Sequence, residues 1–200
     1  MALTIYGSPK SRTLRVLWAA AELGLDYTHV PLASDDPKLK SPDFLKLNPA
    51  GSIPTLVDDG FALSESLAIN LYLAKTYGSG GIYPPTVQGE AQVWRWTLWA
   101  QGHLEPWVQQ DALLADLRAS MGQNARAVVE HGLGLLDRTL DDRAWLVGDG
   151  FSVADLNVAC VLSPSRTARL DLSPFPQVHD WLARCYARPA AVATRTRFAA

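Results

Sequence analysis

Residues 51–66 read GSIPTLVDDGFALSES. Ile53 to Val57 has the apolar content of a strand, yet Pro54 stands inside it. Proline has no N–H to give a ladder, so it is tolerated only at a strand's first residue, at an edge or at a bulge. Asp59-Gly60 then signals a tight hairpin into a second short strand. The small polar and acidic residues Ser64, Glu65 and Ser66 open a helix that runs to Tyr77, with Leu67, Leu71 and Ala74 in register.

Upstream, LTIYG (3–7) alternates like a strand, and Ser11 stands at the N-cap of a helix through LRVLWAAAELG. Its stripe of Leu14, Leu17 and Ala21 ends at Gly24. DYTHVPL (26–32) reads as the next strand. Strand, helix and strand at this spacing form a βαβ unit with parallel strands and a right-handed crossover. A short helix at Asp43 to Leu47 precedes the hairpin.

Downstream, GSGGIYPPT (78–86) breaks every pattern and reads as a linker. Strand signals stop there. A long tryptophan-rich helix from Val87, bent near Pro106, is followed by helices at Ala125 to Leu140, Val153 to Leu162 and Gln177 to Ala187. In FSVADLNV (151–158), Ser152 and Asp155 form a capping box, with Phe151 and Leu156 at the staple positions. The expected architecture is an α/β domain, βαβ-ββα, over 1–78, a linker over 79–86, and an all-helical domain over 87–200.

The chain has 200 residues, 48% hydrophobic and 19% charged, with a formal net charge of −2. A sizeable core is expected and disorder is not. A pI of about 6.1 argues against a nucleic-acid binder that works by neutralising phosphates. No stretch approaches a membrane span and no secretory leader is seen. Cys160 and Cys185, far apart and outside any C-x-x-C, read as buried small hydrophobes in a reduced, cytoplasmic compartment. No metal-ligand pattern appears.

A βαβ-ββα order with proline opening the third strand is the thioredoxin-like pattern. Together with NPAGSIPTL (48–56), SES.AI (64–69) and FSVAD (151–155), in that order across two domains, the chain resembles the cytosolic glutathione S-transferases, of the bacterial, theta-like serine type. The resemblance covers essentially the whole chain. It implies a cis bond before Pro54, which turns the main chain of Ile53 outward to pair with an extended cysteinyl peptide. It implies that Glu65 accepts from the ammonium of glutathione and that Ser66, at a helix N-terminus, receives the γ-glutamyl carboxylate. Lys38, Lys40 and Lys46 flank the glycyl carboxylate; Lys40 is the choice, assisted by Ser52.

The thiol needs help to ionise, since an unperturbed cysteine keeps only a few per cent thiolate at neutral pH. A hydroxyl at the start of the first helix can supply it. YGSPKSRTLRVLW (6–18) offers Ser8, Ser11 and Thr13, and Ser11, four residues before Arg15, aligns with the catalytic serine of theta-like classes. Ser11 as a simple N-cap and Arg12 as the source of positive charge stay open. Tyr6 does not place its hydroxyl convincingly on the sulfur, and the absence of any cysteine before residue 160 disfavours classes that form a mixed disulfide.

The resemblance further implies a small apolar electrophile held against the tryptophan-rich helix, where Trp99 and His103 share an i, i+4 face, and a two-fold homodimer. The reading is a transferase with glutathione as co-substrate. A glutathione-dependent isomerase or peroxidase, or a non-catalytic glutathione-binding protein of the same fold, are the alternatives.

Overall fold

Alternating apolar residues at Leu3 and Ile5 make β1 (Leu3–Tyr6) the hub of a four-stranded sheet ordered β2-β1-β3-β4. The computed structural model describes residues 2–78, 80–108 and 125–198. β2 (Thr28–Val30) pairs parallel with β1, as a helical crossover through α1 (Thr13–Glu22) requires. β3 (Thr55–Asp58) runs antiparallel to β1 and joins β4 (Phe61–Ser64) through Asp59 and Gly60, both at positive φ. Pro54 is outside the ladder, one residue before β3 begins, which resolves the apparent conflict of a proline within a strand.

Leu3, Ile5 and Leu56 from the sheet bury against Val16, Leu17 and Ala20 of α1 and against Ile69 and Leu73 of α3 (Ser66–Tyr77). Between β2 and β3 lie a short 3-10 turn (Pro37–Lys40) and α2 (Pro42–Leu47). Leu32, Leu39 and Phe44 make a smaller apolar cluster there, with Tyr6, Val30 and Ile53 packed on it. This is the thioredoxin-like domain expected from the sequence.

The chain divides by its contacts into two units: one runs to Tyr83 and takes back the segment from Ala187, the other spans Pro84–Tyr186. The second is helical: α4 (Val87–Trp99), a π-helical stretch (Ala100–Leu104), α5 (Glu105–Val108), α6 (Ala125–Thr139), α7 (Val153–Val161), α8 (Pro164–Thr167) and α9 (Pro176–Tyr186). The helix interruption expected at Pro106 falls earlier, in the π-helical stretch. The Ser152–Asp155 capping box is formed, and Asp155 also accepts from Leu146 N–H and from Trp181 Nε1.

A last helix, α10 (Pro189–Arg197), was not anticipated and belongs with the first unit, where it packs on α1. Arg188 holds its start there through a two-point pair with Glu22, at 2.9 and 2.8 Å. Among the described residues no helix is long and apolar enough to cross a membrane.

Candidate functional site

The 48–56 loop is organised from within. Asn48, 3% exposed, donates from Nδ2 to the Ser52 carbonyl, the Ser52 hydroxyl and the Thr55 hydroxyl, and accepts from Ala50 N–H. A buried amide so fully used fixes the loop. The Ile53-Pro54 bond is cis. With the Ile53 side chain in the Leu39–Phe44 cluster, neither its N–H nor its C=O takes a hydrogen bond among the described residues. An extended ligand can add to that main-chain edge as a strand would.

Lys40, the last residue of the 3-10 turn, reaches the same loop with its side chain: its Nζ donates to the carbonyls of Ala50 and Gly51, at 3.2 and 3.0 Å. Gly51 has φ +56°, and a Cβ there would stand 2.8 Å from Nζ and 2.7 Å from the Leu39 carbonyl. Only glycine admits this approach. An ammonium has three donors, so these two bonds leave one uncommitted among the described residues. Lys46 instead pairs with Asp43.

Glu65 precedes α3 at φ 71°, ψ 108°, a conformation rare for a residue with a Cβ and costing about 1–3 kcal/mol. Its carbonyl accepts from Ile69 N–H, and its exposed carboxylate has no partner among the described residues. Ser66, the first residue of α3, is buried, and its hydroxyl accepts from Arg15 Nη1 at 3.4 Å. A helix N-terminus with a guanidinium behind it favours a carboxylate. Arg15, which the sequence did not single out, is brought to the start of α3 by this contact. The available signal was a cation on the buried face of α1, between Thr13 and Val16.

Ser11 is not the N-cap; α1 begins at Thr13 with Arg12, in helical geometry, at the cap. The Ser11 hydroxyl donates to the Ser8 carbonyl (2.7 Å) and accepts from Thr13 N–H (3.1 Å). Its single proton being spent, the 2.9 Å contact with Thr13 Oγ1 must run from Thr13 to Ser11. Thr13 is fully buried, packed beneath Gly7 (φ +133°), where a Cβ would land 2.1 Å from the Thr13 hydroxyl. The Tyr6 ring packs edge-on against Phe44, at 5.7 Å.

Trp99 packs edge-on against Trp96 and over Gly132 of α6, while His103 is exposed. The ladder after Trp99 is π-helical, so the i, i+4 relation does not set a common face for this pair. Both cysteines are buried in the helical unit. Among the described residues no group of His, Cys, Asp and Glu is arranged to hold a metal ion.

Two family models match this chain: "Glutathione S-transferase, N-terminal domain" over residues 1–75 and "Glutathione S-transferase, C-terminal domain" over 101–189. It is 34% identical to glutathione S-transferase 3 of Zea mays, over 94% of this chain and 90% of that one. Among solved structures it resembles glutathione transferase F7 of Populus trichocarpa, with 28% identity, coverage of 98% and 99%, and a TM-score of 0.80. The fold is also that of glutathione transferase URE2P8 of Phanerochaete chrysosporium, solved with oxidized glutathione, at 21% identity, coverage of 98% and 95%, and a TM-score of 0.83.

Proposed function

The chain belongs to the glutathione S-transferase family, and on that premise we propose that it ionises the thiol of glutathione and adds it to small apolar electrophiles. The observation that carries this reading is the unpaired main-chain edge of Ile53, set between Lys40 and the α3 start. The cysteinyl residue pairs with that edge. Glu65 accepts from the ligand's ammonium, and the γ-glutamyl carboxylate meets the start of α3 at Ser66, backed by Arg15. Lys40, with Ser52 alongside, meets the glycyl carboxylate.

Ser11 donates to the thiolate, as a theta-like serine enzyme would. Its proton must first leave the Ser8 carbonyl. A neutral hydrogen bond contributes about 0.5–1.5 kcal/mol and one to a charged acceptor about 1.5–3, so the exchange is downhill once the thiolate forms. The donation from Thr13 makes the Ser11 O–H a better donor. The thiolate then forms a C–S bond with the electrophile, with a leaving group expelled or a proton taken up at the adjacent carbon. The chain's two cysteines, Cys160 and Cys185, are both buried, so neither is open to a mixed disulfide with the ligand.

The protein acts as a cytoplasmic homodimer. Val87, Trp94 and Leu98 on one face of α4 are 78%, 51% and 66% exposed, an apolar strip suited to burial against a second copy.

Titrating the protein with glutathione while following ultraviolet thiolate absorbance, then adding an aryl halide, tests the reaction. A thiolate band at neutral pH followed by conjugate formation is expected. Binding with no band and no turnover would overturn the enzyme reading in favour of a binding protein.

A further inference from the structure

Gly7 is where the parts of the site meet. Its N–H donates to Val30, its Cα rests on Thr13, and a Cβ on it would reach Ile53 at 3.0 Å. Its carbonyl is taken by His29 Nε2 at 2.8 Å. A carbonyl only accepts, so Nε2 carries the proton. Since φ +133° leaves Gly7 backbone freedom that any other residue would lack, its position depends on what grips it from outside.

His29 is itself held. The ring of Phe198 meets it edge-on, 5.4 Å between centroids at 79°. Phe198 caps α10 and packs on the core of the first unit. The other end of α10 is anchored by Arg188 on Glu22, whose side chain is 4% exposed and also accepts from Trp18 Nε1. A chain of direct contacts therefore runs from the C-terminal helix through Phe198 and His29 to Gly7, and from Gly7 to Thr13 and Ile53.

From this geometry we infer that His29 and Phe198 are positioning residues, which hold Gly7 so that the Ser11–Thr13 hydroxyl pair faces the peptide-binding edge of Ile53. Neither touches the ligand; each acts through Gly7. The consequence for chemistry rests on the proposed transferase reading, while the consequence for the loop does not.

The experiment compares the wild type with His29→Leu, His29→Gln and Phe198→Ala. The glutamine keeps an N–H donor near the position of Nε2; the leucine does not. In the ligand-free protein, amide hydrogen exchange over residues 8–15 should speed up in His29→Leu and Phe198→Ala and return toward wild type in His29→Gln. With glutathione bound, the first two variants should raise the pKa of its thiol by about half a unit or more, while its Kd moves less than about twofold.

Unchanged exchange in both variants overturns the inference whatever the ligand does. So does a fall in Tm with the thiol pKa unmoved, because a purely structural role predicts that pattern. Failure of His29→Gln to restore either readout removes the hydrogen bond as the cause. A wild type that binds glutathione without ionising it sinks the transferase reading alone, and the positioning of the loop is then decided by exchange.

Discussion

Arg15 Nη1 donates to the hydroxyl of Ser66, 51 positions along the chain, at 3.4 Å, with both residues nearly closed to solvent. The contact ties the first helix to the start of the third, where the γ-glutamyl carboxylate sits in the proposed binding mode. Replacing Arg15 by leucine should raise the Kd for glutathione about tenfold or more, as expected on losing a charge-assisted contact worth 1.5–3 kcal/mol. Lysine should recover little, since a point charge does not reproduce the guanidinium fork. Calorimetric titration checks both, and wild-type affinity in Arg15→Leu would remove the residue from the site.

Glu65 stands in a conformation that costs energy, and its carboxylate has no partner among the described residues. Glu65→Gly should therefore raise Tm, by relief of about 1 kcal/mol or more of backbone strain, while weakening glutathione binding. Glu65→Ala keeps the Cβ and so should lose affinity without gaining stability. Paired measurements of Tm and KM separate the two. A glycine variant that loses stability would mean that the backbone is not strained there.

Tyr72 and Tyr77 both donate to Asp58 Oδ2, at 2.8 and 2.5 Å. The hydrogen bond to the carboxylate, then burial, push the Tyr77 hydroxyl up from 10.0 to about 12. Folding thus favours the neutral phenol. The stability this contributes is complete below pH 10 and is lost as pH rises through about 12. Denaturant midpoints between pH 8 and 12 should fall through that window in the wild type and more gently in Tyr77→Phe. Equal slopes would contradict the coupling.

Asp155, fully buried, accepts from two main-chain amides, the Ser152 hydroxyl and the Trp181 indole. Burial raises its carboxyl pKa, and the four donors oppose that. Asp155→Ala should cost about 3–5 kcal/mol in urea unfolding, because it strands buried donors. Ser152→Ala should cost about 1 kcal/mol, the usual loss of a cap. Comparable small losses for both would show that the network is not cooperative.

The sequence announces features that rest on strong local chemistry. Pro54 and Gly51 mark the 48–56 loop with its cis bond and tight turn, Asp59-Gly60 the hairpin, and Ser152 with Asp155 the capping box, because each works through its near neighbours. Arg15 was hidden because a lone arginine in an apolar stripe looks solvated until its distant partner is seen. The strain at Glu65 and the π-helical stretch after Trp99 leave no trace in residue type. The last helix was missed because PAAVATRTR buries only Ala191 and Thr194 of its own side chains and owes its place to Arg188 and Phe198 on either side.

Ser11 carries two duties that mutation can separate. Its oxygen accepts from Thr13 N–H at the start of α1, while its proton, given to the Ser8 carbonyl, is the one the proposed reaction turns to the thiolate. Ser11→Ala removes both: Tm should drop by the equivalent of about 1 kcal/mol for the lost hydrogen bonds, and the thiol pKa of bound glutathione should rise by about one unit, a tenfold loss of thiolate near neutral pH. Glutathione Kd should stay nearly constant, since in the proposed binding mode the peptide is held by Ile53, Lys40 and the α3 start. Thr13→Val keeps the bond from Thr13 N–H to Ser11 and removes only the hydroxyl donation into Ser11, so it should shift the thiol pKa less than Ser11→Ala. If Ser11→Ala lowers Tm but leaves the thiolate absorbance where it was, Ser11 only anchors the turn leading into α1, and the thiolate donor must be sought at Ser8, Arg12 or Thr13.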